Sequence, residues 1–358
     1  LIYLLDYATT LQIDQKYKES NDYFFKAEKL ADQLDYYSVS RVTGSFLFNE
    51  EMKQYKGDTF EKVFINAFIA MNYLELGNLD EALVEARKIN DKYKLLRSEE
   101  KKKFELNSFG KYLSAMIWEA SKNYDDAFIA YKEAYNLDPS ISTIKEDLLR
   151  TSKKSKRIED YKQYKKDFLL SDENKDWYNK DKATLIIIYQ QGWGPRKEFG
   201  PRDVKMPYLV PVHSNTEKIK VKVIADKTVV AESYSKQIYN VESAAIQTLK
   251  DDQASLIARR VGAFVAKEVA ANEISRRDKT LGALAWVVMH ASERADLRQW
   301  STLPETIPLV RYYLDPGEYK IEIDGLTDFG SLTSDGVSNL NVSLEKGKTK
   351  FIVWRSLK

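Results

Sequence analysis

Two hydrophobic patterns divide the chain: apolar residues recur at helical spacing up to about residue 170, and at strand spacing in several later segments. The clearest helical pair runs from Val63 to Ile89, where a nearly all-apolar segment is followed, after Gly77 and Asn78, by an amphipathic one. A helix that is apolar on every side must be covered by neighbours on more than one side. The pattern therefore predicts a helical hairpin at the centre of a larger helical array.

Three segments of this array share a spacing of residues on a predicted second helix. They begin at Ser20, Ala82 and Ala127, and a small residue, Ala8, Ala70 or Ala115, precedes each by twelve places. Small residues let antiparallel helices approach closely, while large residues fill the seam between them. This arrangement resembles the tetratricopeptide repeat, which has a unit of about 34 residues and often ends in proline, as at Pro139 here.

The resemblance covers about residues 1–141 and implies a helical solenoid. The equivalent small residues Ala8, Ala70 and Ala115 are 62 and then 45 residues apart, which is longer than the family's unit. Extra segments must therefore follow the first two hairpins, at 35–60 and at 97–107. Two further predicted helices, extending to residue 170, would close the solenoid as a cap.

Strand patterns begin after a polar segment at 171–182. The segment from Ala183 to Tyr189 is rich in β-branched residues, which predicts a buried strand. From Lys218 to Ile224 apolar and polar residues alternate, as in a half-buried strand. Thr228 to Tyr234 would pair with the latter after a turn at Asp226 and Lys227. Four more strand signals follow residue 306, and they resemble small β-sandwich modules. We predict a tetratricopeptide-like helical domain at 1–170, a linker at 171–182, and an α+β domain at 183–358 with a β-sandwich-like end.

Charge and composition narrow the function. The chain has 56 Lys and Arg against 54 Asp and Glu, a formal charge of +2, so no global field favours nucleic acid as a partner. Cysteine is absent, which excludes disulfides and cysteine ligands from this sequence. The most apolar run, Leu281 to Ala291, has about half of the ~20 residues that a transmembrane helix needs. We expect a core helix there and no membrane-spanning segment.

Little of the sequence suggests catalysis. Histidine occurs only at His213 and His290, and no phosphate loop, nucleophile elbow or zinc-protease motif is present. Adjacent acidic pairs on helices point in different directions and do not share a metal readily. We therefore predict a protein that is not an enzyme and needs no cofactor or metal.

In the tetratricopeptide family the first helix of each repeat lines a concave groove. Carrying this over to the matching positions predicts a groove that accepts a partner helix or an extended peptide. Its residues would be Phe64, Ala67, Met71, Leu74, Phe109, Tyr112 and Met116. An alternative stays open, in which the inserted segment at 35–60 fills this groove.

A second candidate region combines a loop rich in glycine and proline, Gly192 to Val212, with a motif from Arg294 to Pro304. Together these segments are similar to a family of uncharacterised bacterial lipoproteins with tetratricopeptide-like repeats. Five residues stand out in them, namely Trp193, Arg196, Asp296, Arg298 and Trp300. Their side chains fit a recognition surface, but a structural role is the preferred interpretation, with Asp296 pairing with an arginine and Trp300 closing the edge of a core.

The resemblance implies a protein of the bacterial cell envelope, periplasmic and associated with the outer membrane, although the cytoplasm is not excluded. A lipid anchor would then lie upstream of Leu1. Our leading hypothesis is a scaffold that binds other envelope proteins through the groove. The alternative is a module in the C-terminal domain that binds or hydrolyses a small ligand, using the Gly192 to Val212 loop. Homo-oligomerisation is a third hypothesis.

Overall fold

The structure is a computed structural model of the 358-residue chain. It describes residues 1–39, 55, 57–98, 107–168, 173–199, 207–250 and 296–357, together with 268–269, 272–276, 278–281 and 283. Most of the predicted insertion at 35–60, the predicted helix Leu281 to Met289, and His290 lie outside the described residues.

An N-terminal helical region precedes a C-terminal region rich in sheet. Its helices are α1 (Ile2–Ile13), α2 (Tyr17–Val39), α3 (Thr59–Glu75), α4 (Leu79–Ser98), α5 (Ser108–Ala120), α6 (Tyr124–Leu137), α7 (Ile144–Lys154) and α8 (Ile158–Asp167). Each helix packs against the next one along the chain. A short 3-10 helix, Lys175–Tyr178, leads into the strands.

Helix α3 is the centre of the helical layer, as its apolar sequence predicts. Every residue from Val63 to Met71 is buried, because α2, α4, α5 and the C-terminal sheet cover it together. Gly77, with φ +74°, supplies the left-handed residue that ends α3 and starts the turn into α4. Helix α5 crosses so closely that a Cβ on Gly110 would lie 2.6 Å from a methyl carbon of Val63. Glycine is therefore required at this crossing.

The described part of the sheet-rich region contains ten strands. They are β1 (Ala183–Gln190), β2 (Arg196–Phe199), β3 (Pro207–Val210), β4 (Lys218–Ala225), β5 (Thr228–Tyr234), β6 (Lys236–Asn240), β7 (Thr306–Leu314), β8 (Gly317–Leu326), β9 (Leu332–Leu344) and β10 (Thr349–Arg355). We call the four strands ordered β10-β1-β7-β6 the first sheet, and the four ordered β5-β4-β8-β9 the second sheet. Strands β2 and β3 form a separate hairpin, and residues 241–250 are helical.

The predicted pairing of β4 with β5 is confirmed. The two strands are antiparallel, and Asp226 and Lys227, with φ of 46° and 66°, form the tight turn between them. Strand β1 joins β10 in parallel and β7 in antiparallel orientation, so the first sheet is mixed. A sheet that pairs the first and last strands of the region could not be read from local pattern.

The first sheet lies between the helices and the second sheet. Leu185, Ile187 and Tyr189 of β1 face the second sheet, within a core that contains residues of both sheets. Ile186 and Ile188, on the opposite face of the same strand, belong to the core built by the helices. Both faces of β1 are therefore buried, which explains its unbroken apolar sequence. The core built by the helices also includes residues of the first sheet, which follows the polar segment at 171–182 in the sequence.

Candidate functional site

The seven residues predicted to line a partner-binding groove are all in the protein core. Each side chain is between 0% and 4% exposed: Phe64, Ala67, Met71, Leu74, Phe109, Tyr112 and Met116. The first sheet covers them. The ring of Tyr239 from β6 lies 5.8 Å from that of Phe64, and Gln190 Nε2 from β1 lies 3.6 Å from Met71 Sδ.

The prediction of a free groove at these residues is therefore corrected. The physical reason for the correction is that the apolar face of the helices and the apolar face of the first sheet must both be buried. They bury each other. Hydrogen bonds between buried amide side chains also cross this contact. Gln190 Nε2 donates to Gln12 Oε1 (3.3 Å), and Gln12 Nε2 donates to Asn72 Oδ1 (2.6 Å). The apolar helical face is already covered, and its cover is the chain's own first sheet.

A buried ion network crosses the same interface further along the helices. Arg311 of β7 pairs with Asp147 of α7, and Arg150 makes two hydrogen bonds with Glu119, of 2.8 and 2.7 Å. Although burial opposes ionisation, Arg311 and Arg150 hold the pKa of Asp147 below its usual range. Tyr112, predicted as a groove residue, donates its hydroxyl to Asp147. The network fixes the first sheet to α5 and α7.

The two motif segments predicted from sequence lie together in the structure. Gly194 N donates to Leu303 O (2.7 Å), and Lys197 N donates to Gln299 Oε1 (2.9 Å). Asp296 and Arg298 form an ion pair of 2.8 Å. Trp300 is only 2% exposed and donates its Nε1 proton to Thr9 Oγ1 (3.0 Å) in α1. The motif thus attaches the C-terminal region to the first helices.

Two of the five singled-out residues lie elsewhere. Trp193 donates its Nε1 proton to Leu357 O (3.0 Å), and the Arg355 guanidinium lies 5.6 Å from the centre of its ring. Arg196 is exposed on β2, opposite Val210. The five residues therefore do not form a single pocket.

Glu61, at the start of α3, was not singled out by the sequence. It is 2% exposed, and it accepts hydrogen bonds from the backbone N–H groups of Asp58 (2.9 Å) and Trp300 (3.0 Å) and from the Tyr55 hydroxyl. Burial, and then the nearby Asp58 carboxylate, raises the pKa of Glu61 to about 7. A carboxyl titrating near neutrality can act as an acid or base. Glu61, however, is buried between the start of α3 and the segment that carries Trp300.

An open site does exist beside β7. Strand β6 pairs with β7 only from Thr306 to Leu309. The residues just before β6 belong to β5, in the second sheet, and so do not continue this pairing. From Val310 to Leu314, β7 has a partner strand on the β1 side alone, among the strands the structure describes. All five of these residues line a cavity of about 680 Å³.

We call this cavity the β7-edge cleft. Its wall opposite β7 comes from β5, α7 and the 3-10 helix. Val230 and Tyr234 of β5 are about half-exposed, at 50% and 52%, and both line the cleft. At its floor the Tyr313 hydroxyl is buried and has no hydrogen-bond partner in the part of the chain that the structure describes. The cleft therefore offers apolar surface, a free hydroxyl and an incompletely paired strand.

A third arrangement brings together His213, Glu242 and Glu305, whose ligand atoms lie within 4.8 Å of one another. The sequence predicted no metal site, because these residues come from three distant segments with no local spacing to mark them. Glu242 and Glu305 were not singled out, and His213 was seen only as the end of a loop. No sequence signal would have found this set.

Comparisons with protein-family models, with curated proteins and with solved structures found no match for this chain. In the described ranges, none of the helices is long and apolar enough to cross a membrane.

Proposed function

We propose that this protein is a non-enzymatic protein-binding scaffold that captures an extended segment of a partner in the β7-edge cleft. The observation that carries the proposal is the half of β7 from Val310 to Leu314, which among the described strands has a neighbour on one side only and lines a cavity of about 680 Å³. An unpaired strand edge presents backbone N–H and C=O groups that a further strand can pair with. Addition of a peptide strand to such an edge is a recurrent mode of recognition.

The geometry defines how the segment would lie. Strand β6 is antiparallel to β7 and begins at Lys236, opposite Leu309. A bound segment takes the place that β6 would occupy if it began earlier, so it also runs antiparallel to β7. Five residues of strand span about 17 Å, which sets the length of the paired segment at about five residues.

The two walls of the cleft differ, and this difference gives the proposed segment its pattern. Because side chains alternate along a strand, one set faces Val230 and Tyr234 of β5, and the other faces Arg311 and Tyr313. The first set is expected to be apolar. The Tyr313 hydroxyl can donate to a carboxylate or amide oxygen of the second set.

In this proposal the helical repeats, interpreted as a tetratricopeptide-like solenoid, support the sheet instead of binding the partner themselves. The solenoid holds the first sheet on its concave face and leaves the β7 edge accessible. The partners would be other proteins of a bacterial envelope assembly, as the sequence resemblance implies. A second copy of this chain is the competing occupant, and sizing of the crosslinked product separates the two.

Two neighbouring valines provide a matched test. Val229 and Val230 are both 50% exposed on β5, and of the two only Val230 lines the cleft. A photo-crosslinking residue at Tyr234, in the cleft, is expected to capture a partner in cells. The same residue at Tyr3, which is 90% exposed on α1, is the control.

Val230→Glu is expected to reduce crosslinking from position 234 at least about tenfold, because a charge would enter the apolar wall. Val229→Glu should leave it unchanged. Equal capture at positions 234 and 3, or equal loss in the two glutamate variants, would contradict the proposal. Thermal unfolding of both variants checks that each is folded.

A further inference from the structure

The side chains of His213, Glu242 and Glu305 converge from three separate segments. His213 lies in the loop before β4, Glu242 at the start of the 241–250 helix, and Glu305 immediately before β7. Backbone hydrogen bonds fix the last two relative to each other, since the N–H groups of Val241 and Glu242 donate to Glu305 O at 2.9 and 3.2 Å. The ligand atoms lie within 4.8 Å of one another. Two ligands of one Zn²⁺ are at most about 4.4 Å apart, so a small inward movement of these side chains would let all three reach a single ion.

The two carboxylates lack the partners that buried acids normally have. Glu242 Oε2 is buried and has no hydrogen-bond partner in the described part of the chain. The Glu305 side chain is 10% exposed, and one of its oxygens accepts the Ser214 N–H at 3.2 Å. Its other oxygen lies 3.8 Å from His213 Nδ1. Among the described residues, no lysine or arginine pairs with either acid.

The two carboxylates of this cluster also lie close to each other, since the ligand oxygens of Glu242 and Glu305 are within 4.8 Å. Like charges this close destabilise one another unless a proton or a cation is shared between them. An unpaired buried oxygen carries a further desolvation cost. A divalent cation between the two carboxylates would relieve both.

Space at the site is kept by a glycine. Gly192 has φ +52°, and a Cβ there would lie 2.9 Å from Ser214 Cβ and 3.3 Å from Glu305 Oε2. Any larger residue would push against the loop that carries His213 and against the carboxylate. His213 itself is 73% exposed, which leaves a path for an ion to enter from solvent.

We propose that His213, Glu242 and Glu305 bind a zinc-class divalent transition metal. One imidazole nitrogen and two carboxylate oxygens are ligands that Zn²⁺ accepts, and the imidazole disfavours Mg²⁺ and Ca²⁺, which prefer oxygen. Three protein ligands leave a fourth position for water. The ion would tie the loop before β4 to the helix at 241–250 and to β7. The site is independent of the β7-edge cleft.

The test uses the full chain purified without a histidine tag and stripped with a chelator. Calorimetric titration with Zn²⁺, and elemental analysis after dialysis, are expected to give one ion per chain. His213→Ala is expected to weaken Zn²⁺ binding at least about tenfold. Because the His213 side chain is exposed, we expect this variant to fold as the parent does. Glu242→Gln should weaken binding similarly. Glu232→Gln, a carboxylate on β5 that pairs with Lys220, is the control and should bind as the parent does.

Three results would overturn the proposal. They are no Zn²⁺ binding by the parent protein, unchanged binding in His213→Ala, or equally tight binding of Ca²⁺ or Mg²⁺ at the same stoichiometry. A Zn²⁺-dependent rise in Tm that is lost in both His213→Ala and Glu242→Gln would support it by an independent measurement.

Discussion

One face of the helices and the edge of β7 are both surfaces that need a cover, and the described part of the chain covers only the first of them. The helical face is apolar, and the first sheet buries it until Phe64 and Met71 are 0% exposed. The β7 edge from Val310 to Leu314 keeps a cleft beside it. Apolar side chains on a helix thus mark the core of this protein, whereas incomplete strand pairing among the described residues marks the surface where we propose that a partner binds.

The largest expected effect comes from placing the same charge on each surface. Met71→Glu puts a carboxylate among buried apolar groups, and we expect a loss of more than about 5 kcal/mol, which is close to the entire stability of an ordinary domain. Val230→Glu, at the half-exposed wall of the cleft, should change stability by less than about 0.5 kcal/mol. Urea unfolding followed by circular dichroism measures both.

A folded Met71→Glu variant with near-parental stability would show that the helical face can separate from the first sheet. The groove predicted from sequence would then be available to a partner after all. A large loss in Val230→Glu would instead show that the cleft wall is part of the core.

A smaller effect is expected from Glu61, which lies where the motif segment closes the edge of the helical face. Because burial raises its pKa from 4.5 to about 7, the folded protein binds more protons than the unfolded chain between these values. Its contribution to stability is present in full below about pH 4.5 and is lost as pH rises through 7. The difference amounts to about 3 kcal/mol.

Glu61→Gln should remove this pH dependence. The measurement is the free energy of unfolding of the parent and the variant at several pH values from 4.5 to 8, since other titrating groups cancel in the difference. Parallel curves for the two proteins would mean that Glu61 titrates normally and that its carboxyl is open to water.

The smallest expected effect distinguishes two tyrosines inside the covered face. The Tyr239 hydroxyl is buried without a hydrogen-bond partner in the described residues, whereas the Tyr112 hydroxyl bonds Thr143 Oγ1 (2.6 Å) and Asp147. Tyr239→Phe should leave stability unchanged or raise it by up to about 1 kcal/mol, because the ring remains and an unsatisfied group is removed. Tyr112→Phe, the control, should cost about 1 to 3 kcal/mol.

Thermal and urea unfolding of the two phenylalanine variants measure this difference. Equal losses would mean that the Tyr239 hydroxyl has a partner after all, so that the covered face is better satisfied than its described contacts indicate.

Local pattern predicted much of this architecture. The helical hairpin at Val63 to Ile89, the buried strand at Ala183 to Tyr189 and the turn at Asp226 and Lys227 follow from periodicity and turn chemistry. Site prediction succeeded less well. The groove residues were recognised as apolar, but apolarity alone does not distinguish a binding surface from a core, and the covering sheet begins 67 residues after the last of them, Met116, and 119 residues after the first, Phe64.

The sequence by itself determined where most helices and strands form, because helical and strand periodicities are local properties of the chain. The exceptions include β2 and β3, which lie within the segment predicted as a loop, Gly192 to Val212. It also determined that α3 and β1 must be buried on all sides. Only the tertiary structure decided what buries them, which half of β7 has a single neighbouring strand among those described, and that His213, Glu242 and Glu305 meet. The reason is that these features depend on contacts between segments far apart in sequence, and no local pattern records such contacts.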